Sequence, residues 1–560
     1  MTFNKVVFDI ETTMTADKIW CIVCKHGDTY YQFKEDRLHR FAELIKQTDE
    51  VIGHNIIGFD IPVVNTIFGY DVFANCKVTD TLVLSRLLNP MIDGGHSLRN
   101  WGTKLGQNKI HFEQFDYFSE DMLTYCRNDV ELTERLYKFL SSKTKDFGQS
   151  IELEHRVAQI IQKQHERGFK INVVEAYELQ SKFQEDMNDL TTKVRQTFPP
   201  LKIEEEFIPK SNNKSRGYVK GVPFIKVKYK EFNLGSRQQI AERLVMLGWK
   251  PKKKTDKGHI IVDEKVLSQI DNIPEAKLIN RYLMLQKRIA QVNSWIEAIK
   301  EDGRVHGKVI TNGTITGRMS HQSPNMAQIP AVYSPYGKEC RALWTVNKGY
   351  KLVGVDASGL ELRMLAHYMN DKDYTHEVVN GDIHTANKVA AGLESRDKAK
   401  TFIYAFIYGA GSKKIGSIIG GSERDGERAK EKFLRATPSL RSLREKVERV
   451  AQRRWVRGLD QRKIIIRHPH AALNTLLQGA GAIVMKCALT LLENYVINKR
   501  IKAFPVVNVH DEFQYEVEES KAEEFGRLAV QSIIDAGKQL NVRCPLNGEY
   551  KIGNNWSETH

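Results

Sequence analysis

The sequence predicts a multidomain protein of the α/β class. Its 560 residues are enough for about two to four domains of ordinary size. Short apolar runs around Val7 and Val353 have the length of buried strands, and segments with helical periodicity follow them. Two long helical patterns, at 151–198 and 274–300, lie between these strand-containing regions. Strands and helices that recur around separate cores are typical of multidomain α/β proteins.

The composition favours a polyanionic partner and a reducing compartment. The chain has 84 Lys and Arg against 69 Asp and Glu, a formal net charge of +15. Seven Cys without even spacing predict no disulfide framework, and a buried strand explains Cys21 and Cys24 better than a zinc site. No apolar run is long enough to span a membrane and no signal peptide is evident, so we expect a cytoplasmic protein without membrane contact.

Acidic residues in the first 145 positions follow a pattern that suits divalent cations. Asp9 and Glu11 alternate along a predicted strand and therefore share one face. Asp60 follows a second strand pattern, and Tyr125 and Asp129 are four apart on a predicted helix. Each acid alone has a structural explanation, but close carboxylates repel one another unless a cation neutralises them. The ordered set therefore predicts a metal site.

The region 146–300 predicts a basic helical arm. Its first helical pattern breaks at Gly168 and ends at Pro199-Pro200. The segment 201–231 predicts an exposed basic loop or ribbon. A second helix, over 274–300, has cations on its polar side, namely Lys277, Arg281, Lys287 and Arg288. We interpret them as sequence-independent phosphate contacts, with a solvated surface as the alternative.

The stretch from Lys351 to Met369 predicts a buried strand followed by a helix, with Asp356 at the junction. Two roles are open for Asp356: it caps the helix, or it holds a cation. The sequence FPVVNVHDEFQYEVEE predicts a hairpin whose turn carries His510, Asp511 and Glu512. Within its second strand we expect Phe513, Tyr515 and Val517 to alternate with Gln514 and Glu516 between two faces.

A further helix places two cations and two aromatic residues on one face. Arg396, Lys400, Tyr404 and Tyr408 are each four apart, with Gly409 as the predicted stop. Such a face suits a ligand with phosphates at one end and a base at the other. A surface stripe that continues into core is the alternative interpretation.

The N-terminal acids resemble the three motifs of the DEDD 3′→5′ exonucleases, in the branch that carries a tyrosine. The resemblance implies an RNase H-like fold with a mixed sheet. It also implies two Mg²⁺ or Mn²⁺ ions held by Asp9, Glu11, Asp60 and Asp129. Tyr125 would orient the attacking water.

The remaining motifs resemble those of the family A, or Pol I-like, DNA polymerases, and of their T7-type phage replicative members in particular. They include TGRMSHQSPNMAQIP, the pattern RxxxKxxxYxxxYG and HDE. The resemblance implies a right-hand polymerase fold after the exonuclease domain. The implied domains are exonuclease 1–147, thumb 148–300, first palm part 301–370, fingers 371–470 and second palm part 471–560. The implied function is template-directed replication of phage DNA with 3′→5′ proofreading.

The same resemblance implies roles for individual residues. Asp356, Asp511 and the carbonyl of Ala357 would hold two Mg²⁺, with Mn²⁺ as a substitute, and Glu512 would join the catalytic set. The nucleotide-binding residues would be His384, Arg396, Lys400, Tyr404 and Glu361, with Glu361 excluding a ribose 2′-OH. The DNA contacts would be Arg318, Asn325, Gln328, Tyr408, Asn474, Gln478 and His510.

Expected partners are primer-template DNA and dNTPs, with a replicative helicase or primase as a further candidate. T7-type enzymes carry a long thioredoxin-binding insertion near 201–231, and the shorter segment here argues against that partner. We expect a monomer in the cytoplasm of an infected bacterium, without a preceding 5′-nuclease domain. Two rival functions remain, a single-subunit RNA polymerase and a catalytically silent DNA-binding or clamp protein.

Overall fold

The computed structural model describes residues 3–251 and 253–560. The chain forms two compact units. The larger comprises the residues up to Lys170 together with His306–Pro335 and Trp344–His560, and the smaller comprises Ile171–Val305 with Tyr336–Leu343.

The N-terminal part of the larger unit is a five-stranded sheet covered by helices. The sheet order is β3-β2-β1-β4-β5, with β1 antiparallel to β2 and parallel to β4. Its strands are β1 Phe3–Thr12, β2 Ile19–His26, β3 Thr29–Lys34, β4 Thr48–Gly53 and β5 Lys77–Asp80. The helices are α1 Leu38–Ile45, α2 Asp60–Phe68, α3 Thr81–Leu88, α4 Leu98–Leu105 and α5 Glu120–Lys143. The predicted mixed sheet is confirmed.

Cys21 and Cys24 lie fully buried in β2, which confirms the buried-strand interpretation of this pair. All seven cysteines are free thiols, as the spacing predicted. Two further elements follow α5 in the chain, helix α6 Ser150–Arg167 and strand β6 Phe169–Ile171. The predicted helix break at Gly168 is therefore present. Helix α6 packs against α3 within the larger unit.

The smaller unit consists of helices and an exposed β-ribbon. Its elements are α7 Val173–Thr197, β7 Leu201–Phe207, β8 Phe224–Lys230, α8 Arg237–Met246, α9 Glu264–Leu267, α10 Pro274–Glu297, β9 Arg304–Val305 and α11 Gly337–Ala342. Strands β7 and β8 pair antiparallel and are largely exposed, which confirms the predicted ribbon. Arg288 was expected on the polar side of α10, but it is only 8% exposed and bonds to Gln291 at 2.8 Å.

The rest of the larger unit is built on a four-stranded sheet of order β16-β17-β13-β18. The strands of this part are β10 Lys308–Ile310, β11 Ser320–Gln322, β12 Trp344–Thr345, β13 Tyr350–Ala357, β14 Trp455–Arg457, β15 Lys463–Ile465, β16 Ala503–Val509, β17 Glu512–Glu518 and β18 Gly548–Gly553. The helices are α12 Leu360–Met369, α13 Lys372–Asn380, α14 Ile383–Ala391, α15 Arg396–Ile407, α16 Ser412–Ile419, α17 Glu423–Ala436, α18 Pro438–Ala451, α19 Ala472–Lys499 and α20 Ala522–Gln539.

The predicted strand and helix around Asp356 are β13 and α12, and the predicted hairpin is β16–β17. The predicted strand is present and its side chains alternate between two faces, but both faces are covered, since Gln514 and Glu516 are as fully buried as Tyr515. The polar side chains are satisfied within the protein. Gln514 bonds to Glu512 and Thr559, and Glu516 accepts from Arg167 at 2.6 Å.

One described helix, Pro469–Lys499, is long and apolar enough to cross a membrane by length and composition. Its most apolar window is 89% buried inside the protein, as expected of a core helix. The helix packs against α6, α12 and α20. Burial in the core therefore accounts for its composition.

Two candidate active sites

The N-terminal acid cluster, which we define as Asp9, Glu11, Asp60 and Asp129, forms where β1 meets α2 and α5. Strand β1 presents Asp9 and Glu11 on one face, and Asp60 begins α2. The carboxylate of Asp60 accepts a hydrogen bond from the Ile10 amide at 3.3 Å, and Asp129 lies on α5, one turn after Tyr125. Glu11, Asp60 and Asp129 are each less than 8% exposed. The structure thus brings together all four predicted acids and the tyrosine.

Burial raises the pKa of each acid in this cluster, and repulsion from neighbouring acids contributes for Asp9, Glu11 and Asp60. Burial raises the pKa of Glu11 to about 9, with a further contribution from the charge of Asp129. Burial also raises the pKa of Asp60 to about 7 and that of Asp9 well above its ordinary value. Carboxyl groups held this way are stabilised as anions only when positive charge is supplied.

The donor set of this cluster fits a divalent cation. Carboxylate oxygens are the ligands that Mg²⁺ and Mn²⁺ prefer. Among the described residues, Oδ1 of Asp129 is buried without a hydrogen-bond partner, so it is free to bind an ion. Cys126 also lies within 4.8 Å of the oxygens of Asp9 and Glu11, but burial raises the pKa of its thiol. We interpret Cys126 as a hydrogen-bond donor to Asp9.

Two residues that the sequence analysis missed support this cluster. The ammonium of Lys109 forms an ion pair with Asp129 and lies 4.7 Å from the ring centroid of Tyr125. Asp80 is 2% exposed and accepts hydrogen bonds from the amides of Asn55 and Ile57 at 2.8 and 3.1 Å. Asp80 therefore fixes the loop that leads to Asp60. Neither residue belongs to a local pattern, since the contacts of each depend on the folded chain.

The second site lies on the four-stranded sheet, where Asp356 of β13 pairs across the strands with Glu512 of β17. Asp511 occupies the β16–β17 turn, and its carbonyl accepts from the Ala357 amide at 3.1 Å. Burial, together with a smaller contribution from the charge of Asp511, raises the pKa of Asp356 to about 7. The N-cap of α12 is Gly359 without a side-chain cap, so the helix-cap interpretation of Asp356 is wrong.

Glu512 is held by the chain's own groups. Its Oε1 accepts from Gln514 and from the Trp556 indole, both at 2.6 Å. Its Oε2 lies 3.0 Å from Nδ1 of His560. These contacts tie the turn that carries Asp511 to the C-terminal segment.

Glu361, Arg318 and Tyr408 form a polar triad beside the second site. Arg318 contacts Oε1 of Glu361 at 3.2 Å, and the Tyr408 hydroxyl donates to the Glu361 carboxylate at 2.9 Å. His510 lies close enough that the charge of Arg318, after burial, lowers its pKa. Two residues far from Glu361 in the sequence therefore fix its carboxylate.

Helix α15 and the start of α14 form the predicted cationic and aromatic face. His384 and Tyr404 have ring centroids 6.3 Å apart, and burial lowers the pKa of His384 with help from Arg396 and Lys400. Burial raises the pKa of Tyr404, with smaller contributions from the charges of Glu361 and Asp511. Tyr404 is therefore close enough to Glu361 and Asp511 for their charges to act on it. Arg396 pairs with Asp382 at 2.7 Å, a partner that the sequence analysis missed.

The remaining predicted contact residues occupy two other elements. Asn325 and Gln328 are exposed at a one-turn 3-10 helix, Met326–Gln328, which packs against β16. Asn474 and Gln478 are half-buried and lie one turn apart on α19. Among the described residues, Oδ1 of Asn474 is buried without a partner.

Comparison with known proteins decides the family. A model of DNA polymerase family A matches residues 221–558. The chain belongs to DNA polymerase family A. It is 32% identical to a DNA-directed DNA polymerase of Enterobacteria phage T3 over 714 residues, which cover 99% of this chain and 100% of that enzyme. It is 35% identical to the corresponding enzyme of Escherichia phage T7, over 87% of this chain and 88% of that one.

This polymerase also shares its fold with a solved structure, the polymerase domain of Pol1 from M. smegmatis in complex with DNA primer-template and dNTP. The TM-score is 0.82 at 17% identity, with 99% of this chain and 95% of that chain covered. At this identity the likeness supports the fold alone. As members of the family do, this enzyme requires a metal ion, and a proofreading exonuclease with two-metal chemistry fits its phage relatives.

Proposed function

We propose that the two acid clusters are separate active sites, one adding dNTPs to a primer on a DNA template and the other removing nucleotides from its 3′ end. The proposal rests on the presence of two separate clusters of buried carboxylates. Of these, only the second site faces cations and aromatic rings on α15. When bound, Mg²⁺, or Mn²⁺ in its place, would lower the pKa of the attacking hydroxyl or water and stabilise the leaving oxygen at both sites.

At the second site, Asp356, Asp511 and the carbonyl of Ala357 would hold two ions. Glu512 positions this set, because its contacts with Trp556 and His560 fix the hairpin turn. The same strand pairing that joins β13 to β17 sets the spacing of the two aspartates.

The face of α15 and α14 positions the incoming nucleotide. Arg396 and Lys400 bind the phosphates with His384, since Arg gives a bidentate contact and Lys a point contact. Arg396 then exchanges Asp382 for phosphate. Because the side chains of Arg396 and Asp382 are both exposed, breaking their ion pair costs little free energy. Tyr404 lies against the sugar.

Glu361 makes the site selective for deoxyribonucleotides. The contacts with Arg318 and Tyr408 fix its carboxylate, so a ribose 2′-OH meets a side chain that is not free to turn away. A fixed group discriminates better than a mobile one, because moving it breaks its hydrogen bonds.

Primer-template DNA is the proposed partner. The solved structural neighbour contains primer-template and dNTP, and the net charge of +15 favours a polyanion. Arg318, Asn325, Gln328, Tyr408, Asn474, Gln478 and His510 are the proposed DNA contacts. Uncharged side chains in the minor groove check the shape of a base pair with little readout of its identity.

At the N-terminal acid cluster, Asp9, Glu11, Asp60 and Asp129 would hold the ions, and Tyr125 would orient the attacking water. Frayed primer ends would reach this cluster as single strands.

We further propose that the predicted exonuclease, thumb, palm and fingers boundaries describe the working parts. The enzyme would act as a monomer in the cytoplasm of an infected bacterium, with a helicase or primase as a candidate partner. A thioredoxin-type factor is not proposed, because the segment 201–231, which forms the exposed ribbon β7–β8, is shorter than the insertion expected of a T7-type enzyme.

Matched variants separate the two sites. Asp511→Ala should abolish primer extension with Mg²⁺ while 3′→5′ degradation of a single strand continues, and Asp9→Ala with Glu11→Ala should do the reverse. Primer extension and degradation of labelled oligonucleotides measure both. Loss of both activities in either variant would contradict two independent sites.

The rival functions make different predictions in the same assays. A single-subunit RNA polymerase would extend primers efficiently with ribonucleotides, against the role given to Glu361. A silent clamp protein would show neither extension nor degradation with Mg²⁺.

A further inference from the structure

Lys109 is a largely buried cation beside the N-terminal acid cluster, without a role in the function proposed above. It lies between α4 and α5, in a segment that packs over the cluster, and its side chain is 18% exposed. A lysine buried beside carboxylates is costly unless its charge is used. Its placement therefore calls for an explanation.

The ammonium contacts two groups of the site at once. It forms an ion pair with Oδ2 of Asp129 and lies 4.7 Å from the ring centroid of Tyr125. The other oxygen of Asp129, Oδ1, is buried and has no hydrogen-bond partner among the described residues. Asp129 thus divides its oxygens, giving one to Lys109 and leaving one available for an ion.

The backbone around Lys109 is anchored on both sides. A Cβ on Gly102 of α4 would come within 3.3 Å of the Lys109 amide nitrogen, so the segment packs closely on that helix. On the other side, the Ile110 amide donates to Asn128 of α5 at 3.2 Å. The anchored backbone therefore fixes the position from which the Lys109 side chain reaches the cluster.

We propose that Lys109 is a positioning residue of the exonuclease site, which orients Asp129 and Tyr125 and supplies the cluster with a permanent counter-charge. This inference rests on the proposed exonuclease function. With one oxygen of Asp129 held, the carboxylate cannot rotate away from the ion that Oδ1 would bind. The ammonium also offsets the repulsion among the acids whenever ions are absent.

A purely structural role is the alternative. In that case the ion pair only fastens the covering segment to α5, and its loss would weaken the protein equally with and without metal. The two roles are separable because a counter-charge matters most when no divalent ion is bound.

The test compares Lys109→Met, Lys109→Arg and the control Lys104→Met in the full chain, Lys104 being an exposed lysine of α4. Degradation of a single-stranded oligonucleotide is measured against Mg²⁺ concentration, primer extension serves as an internal reference, and thermal unfolding is followed in EDTA and in Mg²⁺. Lys109→Met should lower the exonuclease kcat about ten- to a hundredfold, as loss of groups that orient metal ligands does. Primer extension should be unchanged, and Lys109→Arg should recover part of the loss.

Thermal unfolding gives a readout that does not depend on activity. Lys109→Met should lower the first unfolding transition by about 5 °C in EDTA and by less than half of that in Mg²⁺, while Lys104→Met changes neither. Exonuclease activity equal to that of the parent, or the same thermal loss in both conditions, would overturn the proposal. An inactive parent would instead contradict the exonuclease function, and the thermal comparison would still decide the role of Lys109.

Discussion

Tyr404 is a single residue whose hydroxyl is expected to affect substrate choice. It is half-buried, and its pKa responds to the charges of Glu361 and Asp511, so the phenol lies near the proposed sugar position. Its hydroxyl can replace the hydrogen bond of a missing sugar 3′-OH, and we therefore predict ready use of dideoxynucleotides. Tyr404→Phe should increase discrimination against them about tenfold, the effect of one lost hydrogen bond.

Chain-termination assays at fixed ratios of dideoxy- to deoxynucleotide measure this discrimination. Tyr333→Phe is the matched control, since Tyr333 is 91% exposed. Equal discrimination in parent and Tyr404→Phe would contradict the prediction.

Single residues divide sharply between those that the sequence could predict and those that it could not. Asp356 and Asp511 stand at the ends of strand patterns, and such ends were recognisable. Lys109 and Asp382 belong to no local sequence pattern, because the ion-pair partner of each is brought close only by folding. Their detection requires the fold.

Among the elements, α6 and α19 are joined by a buried ion network. Glu154 on α6 is fully buried and accepts from Lys486 of α19 at 2.7 Å and from Arg462 at 2.5 Å. Arg462 also pairs with Asp460, and Lys486 donates to Asn312 at 2.7 Å. The network therefore ties these helices to the loop that leads to Arg318.

Glu154→Gln should lower the free energy of unfolding by about 3–5 kcal/mol, because it leaves two buried cations with one acid. Urea unfolding measures the change. Glu152→Gln, an exposed change on the same helix, should be close to neutral. Similar losses in both variants would contradict a special role for the buried network.

Elements were predictable where a local period was strong. Gly168 and Pro199-Pro200 bound α6 and α7 as expected, and α15 carries its face at the expected spacing. The alternation along β17 did not show that its polar face is buried as well, because a strand covered on both faces can bury polar residues if the fold supplies partners. For Glu516 that partner is Arg167, 349 positions away in the chain.

At the scale of the whole molecule, the acid clusters connect stability to pH. Folding raises the pKa of Glu11 to about 9 and of Asp60 and Asp356 to about 7, chiefly through burial. Above their ordinary pKa near 4 the unfolded chain has lost these protons while the folded chain still holds them. Without metal, stability therefore falls as the pH rises toward 9.

Buried histidines have the opposite effect on the pH dependence of stability, but only at lower pH. Burial lowers the pKa of His321 and His367 to about 4, so they make stability rise with pH up to about 6.5. Between about pH 6.5 and 9 the buried acids dominate the pH dependence of stability. The unfolding temperature in EDTA should therefore fall by several degrees as the pH rises across this range.

Thermal unfolding at a series of pH values, with EDTA or with Mg²⁺, checks this prediction. Bound Mg²⁺ should flatten the profile because it replaces the protons. Glu11→Gln should also flatten it in EDTA, since the most strongly shifted of these groups is removed. Parallel profiles in EDTA and Mg²⁺ would contradict the prediction.

The order of the parts along the chain was predictable because each motif is local. The division into compact units was less so: the smaller unit takes a second segment, Tyr336–Leu343, from the middle of the larger one. The membership of this segment in the smaller unit depends on packing between positions distant in the chain. The hydrophobic periodicity of the sequence does not reveal it.

The four-stranded sheet of order β16-β17-β13-β18 has a consequence for synthesis on the ribosome. All acids of the N-terminal cluster have been synthesised once translation passes Lys143, the end of α5. By contrast, the partner strand of β13, β18, is synthesised only with Gly548–Gly553. Because domains generally fold as units in the order in which they are made, we expect the N-terminal acid cluster to be complete first and the second site last. Under the proposed assignment, translation arrested before Gly548 leaves a product equipped to shorten DNA but not to extend it.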